Sequence, residues 1–128
     1  MYPAKLKYSK SHEWVRVEGN RGVVGITDYA ANELGDVTYV ELPEAGVSTM
    51  RGDSFGVIES IKAVEDLLSP VSGQIVETNN SLVSTPETIN RDPYGEGWLI
   101  ALELEDVSEL QELMTAEQYE TFVEEGGE

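Results

Sequence analysis

From Glu13 to Leu104 the chain runs as short segments rich in Val, Ile, Tyr and Trp, separated by Gly, Pro, Asn and Asp. Segments of this kind read as strands, and many strands with few helices in 128 residues point to a mainly β protein, a small sandwich or flattened barrel. Trp14-Val15-Arg16-Val17-Glu18 alternates as a half-buried strand, Gly19-Asn20-Arg21-Gly22 supplies turn chemistry, and Val23-Val24-Gly25-Ile26 returns, which predicts a hairpin. Thr27 or Asp28 caps a short helix over Tyr29–Leu34 that Gly35 stops, and Val37–Leu42 resumes strand character up to Pro43. Ser54–Ile61, Ala63–Leu68 and Gln74–Thr78 read as three strands around two tight turns, the second being Pro70–Gly73. Asn79–Asn90, polar and interrupted by Pro86, predicts irregular turns or one short helical turn, and Trp98–Leu102 is the last clear strand. Thr115-Ala116-Glu117-Gln118 matches a capping box and starts a helix to about Glu125, with Tyr119, Phe122 and Val123 spaced to pack on the sheet. No linker or repeat divides the chain, so residues 1–128 read as one domain.

Charge narrows the partners. Eight Lys plus Arg stand against 25 Asp plus Glu, a formal charge of −17 that repels nucleic acid and anionic membranes. Five basic residues, Lys5, Lys7, Lys10, Arg16 and Arg21, lie in the first 21 positions, whereas after Arg91 there are twelve acidic residues and no basic ones. Such an acidic stretch reads first as a solvated face and second as a docking surface for basic partners. The sequence offers no bilayer-spanning run, no apolar signal core in Met1–Lys10 and no Arg-rich leader, which leads us to expect a cytoplasmic protein. With no Cys there is no thiol nucleophile or thiolate metal site, and the lone His12 cannot build a His-based zinc site. Redox or covalent chemistry in this chain therefore needs an attached group.

Several pattern matches carry no function. Asn79-Asn80-Ser81 is a sequon without an export signal, Arg51-Gly52-Asp53 reads as a plain turn, and the carboxylates do not have calcium-loop spacing. His12 has no evident nucleophile to serve, so it reads as structural or as a partner contact. What remains is Glu59-Ser60-Ile61-Lys62-Ala63-Val64-Glu65-Asp66. Lys62 is the only lysine after position 10, and the apolar segments on either side put it near the tip of a hairpin, where a modifying enzyme can reach it.

Glu59-Ser60-Ile61-Lys62-Ala63 followed by Asp66 and Ser69-Pro70-Val71-Ser72-Gly73 resembles the lipoyl-attachment region of the glycine cleavage system H-protein family. Lys10-Ser11-His12-Glu13-Trp14, Gly25–Ala30 with Leu34-Gly35-Asp36, and Asn90–Trp98 resemble further signatures of that family in the same order. Ile61 stands where Val is common, and Glu65 where a small polar residue is usual. The resemblance implies a flattened barrel-sandwich hybrid of lipoyl-domain type with short helices and a C-terminal helix. It implies lipoic acid in amide linkage on Lys62, within the attachment motif Glu59, Ser60, Ile61 and Ala63. Loss of that positive charge leaves 7 basic residues against 25 acidic ones, a formal charge of −18.

The implied function is that of a carrier and not an enzyme. The aminomethyl group of glycine would pass from a pyridoxal-phosphate glycine decarboxylase to a tetrahydrofolate-dependent aminomethyltransferase, and a dihydrolipoamide dehydrogenase would reoxidise the dithiol. Lipoate-attaching enzymes are implied as further partners. By the same resemblance Ser11, Glu13, Asp66 and Ser69 line a cleft around the loaded arm, where carboxylates suit a bound ammonium. His12 and Trp14 would shape its wall, Trp14 more as core. A lipoyl-relay protein that donates lipoate to other carriers is the alternative of the same fold. Biotin domains usually present Met-Lys-Met and dehydrogenase lipoyl domains Asp-Lys-Ala, whereas here Ile61 and Ala63 flank the lysine, and a hydrolase using Glu13 and Asp66 lacks a supporting motif.

Overall fold

The computed structural model describes residues 2–127; Met1 and Glu128, the ends of the expected domain, lie outside the described residues. In chain order the elements are β1 (Lys7–Tyr8), β2 (Glu13–Glu18), β3 (Arg21–Ile26), α1 (Asp28–Leu34), β4 (Val37–Glu41), β5 (Ser48–Thr49), β6 (Ser54–Ser60), β7 (Val64–Leu68), β8 (Gly73–Thr78), α2 (Ser81–Ser84), α3 (Thr88–Arg91) and β9 (Ile100–Leu104). A 3-10 segment, Val107–Glu112, and helix α4 (Ala116–Glu124) complete the chain. The strands form a six-stranded sheet, β1-β2-β3-β9-β8-β5, and a three-stranded sheet, β4-β6-β7. Every pairing is antiparallel, and the two sheets are not closed into a barrel.

The alternation of side chains explains why the central strands are buried almost without interruption. Successive residues point to opposite faces, so a strand covered on both sides needs apolar residues in both registers. Val15, Val24, Ile26, Ile100 and Leu102 join Val40, Ile58 and Leu67 of the smaller sheet in the main core. Their neighbours Trp14, Val23 and Ala101 enter a second cluster with Leu6, Tyr8 and Tyr119 on the other face. Glu13 shares its register with Val15 and is carried inward with it, only 3% exposed.

The local signals for the helices are realised. Thr27 caps α1, its Oγ1 accepting from the Ala30 amide at 3.1 Å, and Gly35 ends it at φ 77°, a left-handed value that a side chain would strain. Thr115 and Gln118 close the capping box of α4. A helix of nine residues is marginal alone, and α4 is held by Tyr119, fully buried and stacked on Tyr8 with ring centroids 4.8 Å apart. Burial of one such side chain contributes roughly 1.5–3 kcal/mol.

Some expectations need correction. Asn79–Asn90 forms two helical turns, α2 and α3, one on either side of Pro86, because Leu82 and Ile89 each anchor a turn in the main core. The last strand is Ile100–Leu104, shifted towards the C-terminus from the expected Trp98–Leu102. Pro70–Gly73 does not join a hairpin: it carries the chain from β7 in the small sheet to β8 in the large one. The two-residue strands β1 and β5 and the 3-10 segment are additions. No described helix is long and apolar enough to cross a membrane.

Candidate functional site

Strands β6 and β7 are joined by a tight turn that presents Lys62. Ser60 organises it: its hydroxyl oxygen accepts from the amides of Lys62 and Ala63, both at 3.1 Å, while its own amide donates to the Ala63 carbonyl at 2.8 Å. The Ile61 amide donates to the Asp36 carbonyl at 3.2 Å and moors the tip to the start of β4. Ile61 and Lys62 are exposed, Ile61 by 69%, so the extra methylene of Ile over Val meets little but solvent. Ala63 tucks against the main core, and Glu59 lies half-buried in register with Val64.

The lysine stem lies across the end of α1. A Cβ placed on Gly35 would stand 3.1 Å from Lys62 Cε, so glycine is required here by the approach of the lysine as well as by its φ. Asn90 supports this point from below. Its Nδ2 donates to the Gly35 carbonyl at 2.8 Å and its Oδ1 accepts from the Val37 amide at 2.9 Å, which ties α1, β4 and α3 together.

Beside the turn lies a cleft of about 340 Å³. Ser11 and Glu13 border it from the start of β2, Tyr29 and Glu33 from α1, Glu65 and Asp66 from β7, and Gly126 and Gly127 from beyond α4. Glu13 is its buried acid. One carboxylate oxygen accepts from the hydroxyls of Ser9, at 2.8 Å, and Ser11; the other accepts from the Leu68 amide at 3.2 Å. Burial disfavours the charged form more than these donors favour it, and the carboxyl is pushed up to about 7. Asp66 is exposed, its Oδ1 accepting weakly from Ser54 at 3.4 Å. Among the described residues no three His, Asp or Glu side chains group as a metal site.

Of the four cleft residues expected, Ser11, Glu13 and Asp66 come together here. Ser69 does not face this space: it is buried, donates to the Val71 carbonyl at 2.6 Å, and borders an adjoining cavity of about 220 Å³ that shares Ser11 with the first. His12 borders the cleft, whereas Trp14 points into the second core and donates from Nε1 to the Pro93 carbonyl at 3.1 Å. Sequence reasoning missed Tyr29, Glu33, Glu65 and the Gly126-Gly127 pair as cleft residues. Tyr29 and Glu33 sit four apart on a helix, a spacing that puts both on one face, and the paired glycines mark a chain reversal after α4.

The family model described as glycine cleavage H-protein matches residues 6–126. The chain belongs to the glycine cleavage H-protein family. A glycine cleavage system H protein of Symbiobacterium thermophilum is 56% identical over 124 residues, covering 97% of each chain, and one of Carboxydothermus hydrogenoformans is 51% identical over 126 residues, covering 98% of this chain and 97% of that one. The crystal structure of a glycine cleavage system H protein from Mycobacterium marinum matches with a TM-score of 0.85 at 41% identity, over 97% of this chain and 98% of that one.

The segments that carry the H-protein resemblance converge in space. Trp14 of the first segment bonds to Pro93 of the last, the Asp28 amide of the second donates to the Tyr94 hydroxyl of the last at 2.9 Å, and Asn90 holds Gly35 beneath Lys62. The family's scattered signatures are thus the parts of one frame around the cleft and the lysine.

Proposed function

We propose that this H-protein family member acts as one lipoyl-carrier domain over residues 1–128, bearing lipoic acid in amide linkage on Lys62. The observation that carries the reading is the exposed lysine at a hydrogen-bonded hairpin tip, beside a cleft whose walls hold carboxylates. The residues present suit such a group. Ser60 shapes the turn, Glu59, Ile61 and Ala63 complete the motif, and the notch at Gly35 leaves room for the lysine stem. A lipoyl group supplies the disulfide chemistry that a chain without cysteine lacks.

In this reading the chain carries the aminomethyl group of glycine from glycine decarboxylase to aminomethyltransferase, is served by dihydrolipoamide dehydrogenase and lipoate-attaching enzymes, and performs none of their reactions. The chain's own task is to bind and shelter an amine between visits. Glu33, Glu65 and Asp66 border the cleft with negative charge that favours an ammonium, and Ser11 adds a hydroxyl already oriented by Glu13. Ser69 acts from outside the cleft, fixing the bend after β7 through Val71. An ammonium entering the cleft would draw the Glu13 proton away, since an opposite charge nearby lowers a carboxyl pKa.

The test is intact mass and peptide mapping of protein made in cells supplied with lipoate. One lipoyl increment on the Lys62 peptide is expected, together with loss of both the increment and glycine decarboxylation in Lys62→Arg. Decarboxylation that survives in purified Lys62→Arg protein would refute the reading.

A further inference from the structure

We infer that His12 is a positioning residue that holds the Gly126-Gly127 segment in place as one wall of the cleft. The use of that wall, to shelter an amine, rests on the carrier reading above; the contacts that make it do not. Helix α4 ends at Glu124, and the chain then reverses through two glycines at φ 118° and 71°, with the Gly126 amide donating to Val123 at 3.1 Å and the Gly127 amide to Phe122 at 3.0 Å. This reversal brings the segment to the cleft and against α1, where a Cβ on Gly127 would stand 2.8 Å from the Tyr29 hydroxyl.

His12, in the loop before β2, reaches the segment directly. Its Nε2 lies 2.9 Å from the Gly127 carbonyl oxygen, which only accepts, so Nε2 carries the proton. Its Nδ1 lies 2.7 Å from the Tyr119 hydroxyl, which lies 2.7 Å from Thr27 Oγ1, the oxygen that caps α1. In the neutral ring every direction is fixed: Thr27 donates to Tyr119, Tyr119 donates to Nδ1, and Nε2 donates to Gly127. Burial holds His12 below its ordinary value and favours that neutral ring, against the opposing pull of the Gly127 carbonyl and of Glu65 on β7 and Glu33 on α1; the rings of Tyr29 and Phe122 flank it.

The backbone supports the assignment independently. His12 is the one non-glycine residue at positive φ among those described, at 74°, held there by its amide donating to Ser9 at 3.1 Å and its carbonyl accepting from Thr27 at 3.0 Å. A conformation that disfavours a side chain is retained where the surroundings over-determine it. Here it aims the ring between α4 and the cleft. The relay therefore links the cap of α1, which supplies one cleft wall, to Gly126-Gly127, which supplies another.

His12→Asn tests this, because Asn tolerates positive φ and can reach Tyr119 but is too short for Gly127. Nitrogen NMR of the unmodified full chain should show His12 as the Nε2–H tautomer near neutral pH, and the Gly126 and Gly127 amides should exchange with solvent roughly threefold to tenfold faster in His12→Asn, the worth of one neutral hydrogen bond. His12→Gln, long enough to reach Gly127, should restore part of that protection. In lipoylated protein loaded with the aminomethyl group, His12→Asn should lose the amine sooner and a chain ending at Glu125 at least as soon, with no further loss when His12→Asn is added to the shortened chain. Unchanged exchange at Gly126 and Gly127 in His12→Asn, or undiminished retention in the shortened chain, overturns the inference. Absence of lipoate on Lys62 would instead refute the carrier reading, and the exchange measurement still decides the role of His12.

Discussion

At the scale of single residues, Glu13 combines burial with an ionisable carboxyl and makes the site sensitive to pH. Its carboxyl is pushed up to about 7 in the fold against an ordinary value of 4.5. The folded chain therefore binds this proton more tightly than the unfolded one. The corresponding stability is full below pH 4.5 and is lost as pH rises through about 7, an effect on the order of 3 kcal/mol. His12, held below its ordinary value of 6.5, acts with the opposite sign: its contribution is full above 6.5 and is lost as pH falls through the folded value. Glu13→Gln keeps an oxygen for the Leu68 amide and cannot ionise, so urea unfolding should find it close to the parent at pH 4.5 and more stable by up to about 3 kcal/mol at pH 8. A parent-to-variant difference that does not change with pH would mean that Glu13 titrates as an exposed acid. Lys62 is legible in the sequence because no other lysine follows position 10, whereas the burial of Glu13 is not, because the expected strand begins at Trp14. Extended by one residue, the same alternation puts Glu13 on the inward face with Val15.

At the scale of elements, the platform under the lysine is built by one side chain from a distant turn. Asn90 satisfies the Val37 amide and the Gly35 carbonyl together, and Asn90→Ala leaves both without that partner in a half-buried place. Leaving such groups unmet costs about 1–3 kcal/mol. Denaturant unfolding of Asn90→Ala should show a loss of that size, and Asn90→Asp should be destabilised as well, because a carboxylate then faces the Gly35 carbonyl. Stability within about 0.5 kcal/mol of the parent in both variants, the ordinary range for a surface substitution, would deny Asn90 this role. The same contrast shows which elements the sequence makes legible. The β2–β3 hairpin, the Thr27–Gly35 limits of α1 and the capping box of α4 follow from residues within a few positions of one another. The strand β1 exists only because Trp14, Val15 and Met114 lie beside it, and the crossing at Pro70–Gly73 depends on which sheet receives β8. Those are decisions of tertiary pairing, which no local pattern encodes.

At the scale of the whole molecule, the charge of −17 acts in two directions that salt separates. Three ion pairs occur among the described residues, Arg16–Glu18, Arg21–Glu77 and Arg51–Glu112, and all have exposed side chains, so each contributes little. Acid also serves structure locally: Glu109 accepts from the Ser72 amide at 2.8 Å and its hydroxyl at 2.9 Å, which fixes the crossing between the sheets. Most of the negative charge nevertheless faces water and repels itself, which destabilises the compact state. Added salt should therefore raise the thermal midpoint of the free protein as the Debye length falls from about 30 Å at 0.01 M to about 8 Å at 0.15 M. Under the carrier reading the same field steers the chain towards enzymes whose docking surfaces are basic, so the association rate constant with aminomethyltransferase should fall over that salt range, by roughly tenfold or more if steering dominates. The dissociation rate should change much less, because screening acts mainly on the approach. Calorimetry of the free protein and stopped-flow binding at matched salt concentrations test the two effects together. A rising midpoint with an unchanged association rate would assign the acidic surface to solvation alone, and a rising midpoint with a falling rate would assign it to partner encounter.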